Sequence, residues 1–500
     1  MEQRTSIFVS AGIAAVVVAN VCASCSRNML TVGSMYDRHD ASQDEGESDA
    51  TPAGSGGSDG GADPTGGAGS AHIDVGRADG GDPAVDDANA EASPLPEAGA
   101  ADGDAADACA ANACAGCGAL SAAPGDPCGQ CGSYACSTDG ASLICVDPGT
   151  VTQASAGLWQ TCVILATGGL RCWGGNTYGE LGNGTSGPST DTFVPPKADL
   201  LPAVRSVTGG RSFTCAVLAT GGVRCWGFNM FGQLDGIGTD KLMPADSDVV
   251  TGAVAVATGE HHACALLETG GVRCWGSNEW GQVGPGTPTT YLPRDISVTG
   301  VKALVAGSYH NCALLDPGVV RCWGDNEHGQ LGDGTTAARA TADVDVPLPE
   351  VRAIAAGNYH TCAVLKSGGV RCWGTNYLGA LGDGVTSLDN PNPSATDIVT
   401  DAVAITAFGF HTCALLSTGA VRCWGENYDG ELGDGITMTN ELVPNTAVVT
   451  GAVAITTGGI HTCAIVASGR LQCWGGGGAV GAGPGVANFP LPVDVMGFCP

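Results

Sequence analysis

Positive charge is scarce in this 500-residue chain: 20 Lys and Arg stand against 50 Asp and Glu, a formal net charge of −30. A nucleic-acid binder needs a basic footprint that displaces phosphate counterions, so that class is excluded. Attachment to an anionic membrane through a basic patch is disfavoured on the same ground. Long apolar runs are also missing. The stretch at residues 7–21 is short for a transmembrane helix and has the length of a signal-peptide core. Catalytic strings are absent as well: there is no G-x-x-x-x-G-K-[ST], no H-E-x-x-H, and no G-x-S-x-G from residue 108 onward. G-x-G-x-x-G strings carry no weight in a chain with 80 Gly. The expectation is a protein that is not an enzyme and has no cofactor.

What the chain has in quantity is Gly and Cys. Eighty Gly suit a β protein with many tight turns, because Gly tolerates positive φ there. Twenty-four Cys in ordered spacings belong to an oxidising compartment. The start of the chain agrees. Arg4 precedes the apolar run, which ends in Cys22-Ala23-Ser24-Cys25. Small residues before Cys25 form a lipoprotein-type cleavage box, so residues 1–25 are read as a signal peptide and Cys25 as the lipidated residue. Simple secretion and a retained anchor are the alternatives, and in each case the mature protein is expected outside the cytoplasm. Residues 26–107 are a linker of Asp, Gly, Ala, Ser and Pro, too poor in large apolar side chains to fold. Residues 108–149 form a small Cys-rich unit containing Cys109, Cys114, Cys117, Cys128, Cys131, Cys136 and Cys145. Its two C-x-x-C pairs have zinc-site spacing, but export favours disulfides. Seven is odd, and Cys499 is the expected outside partner, with Cys145 nearest to it.

Residues 150–500 carry a unit repeated seven times at intervals of about fifty residues. Each copy holds a Cys pair: Cys162 with Cys172, Cys215 with Cys225, Cys264 with Cys274, Cys312 with Cys322, Cys362 with Cys372, Cys413 with Cys423, and Cys463 with Cys473. A Gly stands at one fixed place inside every pair. Around Ser417-Thr418-Gly419, two antiparallel strands set Leu415 against Val421, Ala414 against Arg422, and Cys413 against Cys423. A three-residue hairpin loop wants a left-handed residue last, and Gly is there in each copy. Directly opposed residues at a non-hydrogen-bonded site lie within disulfide reach. Each unit is therefore predicted to be a hairpin stapled across its strands. A further strand precedes it and another follows, giving four short strands per unit: a propeller blade. The segment after the last hairpin resembles the start of an eighth unit. It is expected to share one blade with residues 151–156 and so lock the ring.

These units resemble the regulator of chromosome condensation repeat. The likeness rests on His411-Thr412-Cys413-Ala414-Leu415, the Gly turn, Val421-Arg422-Cys423-Trp424-Gly425, and the loop from Asn427 through Leu432-Gly433-Asp434-Gly435. It implies an all-β fold with a seven-bladed β-propeller, here preceded by the acidic linker and the Cys-rich unit. The paired Cys resemble a variant of exported bacterial members. Family roles include guanine-nucleotide exchange with chromatin binding, light sensing by clustered Trp, and inhibition of a β-lactamase. Their common element is a protein-binding surface on a rigid ring. The acidic charge argues against nucleotide exchange. Two departures matter: Gly477 replaces the loop Asn of the other six copies, and Asp235 replaces a Gly.

Candidate sites follow. His262, His310, His360, His411 and His461 precede Cys residues in five copies, but Gln160 and Phe213 take the place in two that keep both Cys. Metal ligation cannot tolerate that, so no metal is expected. The seven repeat Trp are read as blade packing. The repeat Arg are expected to pair with carboxylates of neighbouring blades. Asp333, Asp383 and Asp434 suit Asx turns, since one carboxylate per loop is too few for calcium. His261 and His328 are expected on exposed loops. The variable loops supply the partner contacts: Phe228, Phe231, Trp280 and Tyr377. The reading is an exported, surface-anchored, monomeric scaffold that binds an unknown protein and meets the membrane only through its lipid. Alternatives are a secreted enzyme inhibitor and a carbohydrate-active enzyme.

Overall fold

The computed structural model describes residues 149–498 except 237, 387 and 388, together with three short strands between 127 and 146. Cys25, the linker, the cysteine pairing within 109–145 and Cys499 lie outside the described residues. The three short strands, Pro127–Cys128, Gly132–Cys136 and Leu143–Val146, form one antiparallel sheet in chain order.

Seven further sheets follow, each built from consecutive strands. The chain is a seven-bladed β-propeller. In the sixth blade, Ala402–Phe408 pairs with His411–Leu416, which pairs with Val421–Gly425. The hairpin register sets Leu415 against Val421, Ala414 against Arg422 and Cys413 against Cys423, as the spacing predicts. Gly419 sits at φ 79° at the end of the turn, a region in which a Cβ is strained.

All seven Cys pairs are closed. Cys162 is bonded to Cys172, Cys215 to Cys225, Cys264 to Cys274, and Cys312 to Cys322. Cys362 is bonded to Cys372, Cys413 to Cys423, and Cys463 to Cys473. The Cα atoms of the Cys413–Cys423 bridge lie 4.1 Å apart, the separation of a narrow antiparallel pair.

The first strand of each blade lies against the first strands of its neighbours, so these Ala- and Val-rich segments ring the centre. Apolar clusters form between blades rather than within them. Cys162 and Cys172 pack in one cluster with Trp226 of the next blade, and Cys215 and Cys225 with Trp275. Cys264 and Cys274 meet Trp323, Cys312 and Cys322 meet Trp373, and Cys362 and Cys372 meet Trp424. Cys413 and Cys423 meet Trp474, and the series closes with Cys463 and Cys473 of the last blade against Trp173 of the first.

Two expectations are corrected, and one is extended. The staples form as spacing predicts, and packing gives them a second role. The second members, among them Cys172, Cys225, Cys322 and Cys372, are also buried between blades, so each cystine is a wall for its neighbour's indole as well. A four-stranded sheet exists only in the third and seventh blades, where Thr289–Ile296 and Asn488–Asp494 complete it. In the other five the outer segment touches the sheet through isolated bridges such as Leu170 to Leu201 and Gly174 to Thr192. The outer segment between the bridges is longer than the strand it follows, so its surplus leaves the ladder. The ends also do not share a blade. Asn488–Asp494 is the outer strand of the seventh sheet, and Val151–Ala156 is the first strand of a separate sheet. The ring closes through side contacts: the Val151 amide donates to Gly469, and the Gly459 amide to Gly157.

Candidate functional site at the loop end of the ring

Antiparallel pairing sorts the loops. The turn after each first strand and the loop after each third strand meet at one end of the ring. Backbone bonds join them: the Phe228 amide donates to Ser212, Ser277 to His261, and Glu426 to Phe410. The tight Gly turns lie at the other end of the hairpins. Length and sequence variety are thus confined to one end.

Aromatic side chains gather there. Tyr178, Phe228, Phe231 and His261 form a chain of ring contacts, with Phe228 5.0 Å from Tyr178 and Phe231 stacked on His261 at 4.3 Å. A second chain runs through His328, Tyr359, Phe410 and Tyr377. Phe228 and Phe231 share the first group and Tyr377 joins the second. Trp280 belongs to neither chain and is exposed. Its place is a loop position that the other copies fill with Tyr178, Phe231, His328, Leu378 and Asp429, so it is on the repeat pattern in place though not in residue type.

Between the first three blades the loops enclose a cavity of about 230 Å³, lined by residues that include Trp159, Tyr178, Glu180, Arg211, Phe228 and His261. Glu180 is buried at 4% exposure, and its Oε2 accepts the Tyr178 amide at 2.8 Å. Burial pushes its carboxyl up to about 8, helped by the charges of Asp191 and Asp240. Arg211 is ion-paired with the buried Glu260, which also lies 3.6 Å from His261. Burial first, then Arg211 and His262, hold the His261 imidazole below its ordinary range.

The repeated side chains have structural work. The His310 ring bonds Thr361 of the next blade at 2.9 Å, and Thr361 donates to the Gln330 carbonyl at 2.8 Å. His360, His411 and His461 meet Thr412, Thr462 and Thr161 in the same way, and His262 meets Asn311. A hydroxyl that gives its proton to a carbonyl must accept from the imidazole. Nε2 therefore carries the hydrogen, and burial keeps the ring neutral. The indole N–H of Trp373 donates to the same Gln330 carbonyl. Asp333 accepts the Thr335 amide at 2.9 Å and Asp434 the Ile436 amide, as Asx turns require. Among the described residues no cluster of His, Cys, Asp or Glu is placed to hold a metal.

Other expectations are corrected. Five of the six repeat Arg pair within their own blade, as Arg273 does with Asp295 at 2.7 Å, because the outer segment runs beside the third strand. His261 is half-buried against Phe231, and His328 bonds Asp389 at 2.7 Å, so both have partners. At Gly477 a short helical turn, Gly477–Val480, replaces the Asn-tied loop. Elsewhere that Asn holds its loop by accepting an amide, as Asn326 does from Leu331. Asp235 meets Lys241 where other copies use Gly.

The RCC1-like domain model matches residues 122–449, about two-thirds of the sequence. The chain belongs to the RCC1-like family. Among solved structures, human WBSCR16 is similar with a TM-score of 0.58 and 22% identity, over 65% of this chain and 92% of that one. Yeast RCC1 (Prp20), solved bound to Kap60, gives a TM-score of 0.58 and 21% identity over 70% of this chain and 85% of its own. These likenesses are of fold. A curated human relative, "Probable E3 ubiquitin-protein ligase HERC3", is 33% identical over 87 residues, which is 17% of this chain and 8% of that protein. The chain thus spans under a tenth of that relative's length.

Within the RCC1-like ring, sequence reasoning passed over Glu180, Arg211 and Glu260. A signal existed. Arg211 and Glu260 fill, in consecutive copies, a position held elsewhere by Leu158, Ser308, Asn358, Gly409 and Gly459. Opposite charges in adjacent copies of an otherwise uncharged position mark a pair across blades.

Proposed function

We propose that this RCC1-like chain is an exported, surface-anchored scaffold that binds a protein partner with the loop end of its ring. The observation that carries the reading is the concentration of aromatic side chains and a cavity at that end, opposite the tight Gly turns. Large aromatics that bury area at little entropic cost are what protein-binding surfaces use as anchors. Phe228, Phe231, Trp280 and Tyr377 are the proposed contacts. Seven cystines support an oxidising location. Among the described residues no helix is long and apolar enough to cross a membrane, and we assign anchoring to a lipid on Cys25. Residues 26–107 then serve as the spacer and 108–149 as a disulfide unit preceding the ring in the sequence. The reading is of a binding protein rather than an enzyme, because the repeated His and Trp tie neighbouring blades together and most of the repeated Arg pair within their own blade.

The test is capture of a partner from surface and secreted extracts by the purified full chain. One protein retained by the native ring and lost with Trp280→Ala or Phe231→Ala supports the reading, and inhibition of a secreted enzyme would be one form of it. Turnover of a glycan panel with no protein retained would overturn it. Intact mass of the mature protein decides the lipid on Cys25.

A further inference from the structure

One buried loop position holds Glu180, Gln233, Gln282, Gln330, Ala380, Glu431 and Ala479 in the seven copies. The backbone duty is the same throughout, and the side-chain duty is shared by the five copies that carry Glu or Gln. The backbone carbonyl takes the next blade's indole, as Glu180 does from Trp226 and Gln233 from Trp275. The side-chain oxygen accepts the amide two residues earlier: Gln233 from Phe231, Gln282 from Trp280, Gln330 from His328, and Glu180 from Tyr178. An amide performs both tasks, and a carboxyl adds only a cost of burial. In the first blade that carboxyl lines the aromatic cavity.

The groups around Glu180 fix the sign of what the cavity takes. Asp191 and Asp240 add negative potential at the carboxyl. The positive charge at the site, Arg211, is engaged by the buried Glu260, and His261 beside it is neutral. Tyr178, Phe228, Phe231 and Trp159 line the cavity, and aromatic rings attract cations over their faces.

We propose that this cavity receives the alkylammonium end of a lysine side chain from the protein partner, its stem along the aromatic lining and its charge against the Glu180 carboxylate. The inference rests on the protein-binding reading. Because the empty site favours the protonated acid, ammonium entry releases that proton to solvent, and no other group changes charge.

The full chain is titrated with n-butylammonium, butanol and pentanoate, read by calorimetry in buffers of different ionisation heat and by indole fluorescence. Butylammonium is expected to bind in preference to both others, to release close to one proton near pH 7, and to bind more tightly as pH rises toward 8. Glu180→Gln is expected to fold, since Gln fills the same place three times in this chain, and to weaken the probe roughly tenfold or more. Glu431→Gln, in another blade, is expected to bind as the native chain does. Thermal melts check folding, and Phe228→Leu gives an independent loss of affinity. Equal binding of butanol, preference for pentanoate, or an undiminished Glu180→Gln overturns the inference and leaves the scaffold reading standing. A probe that binds while no protein partner exists overturns both the scaffold and lysine as the source.

Discussion

The five repeat His are fully buried and neutral. Burial pulls His310, His360, His411 and His461 down to about 3 and His262 to about 4. Their unfolded forms titrate near 6.5, so below that pH the unfolded chain takes up protons that the folded one refuses. Stability is whole above about pH 6.5 and falls as pH drops toward the folded values. Denaturant titrations between pH 7.5 and 4 should show a midpoint that declines with a slope of several protons. Glu180 acts with the opposite sign. Its folded value of about 8 lies above the unfolded value, so it contributes below about 4.5 and that contribution is lost as pH rises through 8. Glu180→Gln should therefore gain stability over the native chain above pH 8, read from the same titrations. Thr361→Val leaves His310 and one carbonyl bond unmatched and should cost about 1–3 kcal/mol. The chain contains its own compensated pair: Phe213, with no donor, pairs across blades with Ala263, with no hydroxyl. His310→Phe combined with Thr361→Ala should then cost less than the sum of the two single changes, measured in a double-mutant cycle.

At the scale of the element, the stapled hairpin is the unit of the ring. Its cystine closes a short loop, and the chain-entropy account gives about 2.7 kcal/mol as an upper value. The sulfurs lie between blades and are nearly fully buried. Mild reductant without denaturant should leave all seven bridges intact by mass, whereas the same reductant in denaturant should open them. Replacing both Cys413 and Cys423 by Ser should lower stability by no more than about that value, by thermal or denaturant unfolding. The loop after the third strand is a second element with its own logic. Asn427 ties it by accepting the Leu432 amide, and the Asp434 turn sets its exit. The tip between is free to vary, which is why Trp280, Leu378 and Asp429 can differ at one position among copies that share the motif.

The whole molecule is held by relations between blades. Trp173 of the first blade donates to the Ala479 carbonyl of the last, and Thr161 bonds both that carbonyl and His461. Ending the chain at residue 450 would strip these partners and expose a cystine-lined groove. Such a truncation should lose cooperative unfolding and gain dye-detected apolar surface, while Cys pairs of the retained blades still form. The repeat count, the hairpin register, the staples and the absence of a basic surface were legible in residue order, because each depends on neighbours within about fifty residues. Leu415 against Val421 is a statement about one turn. Three things were not legible: the company kept by Glu180, Arg211 and Glu260, the blade to which Arg273 turns, and the joint between the first and last sheets. Each depends on which segments curvature brings side by side. Residue spacing specified seven stapled sheets. Only closing those sheets into a ring made a cavity from three separate loops, because a cavity is a property of distances across the chain, and no local pattern records it.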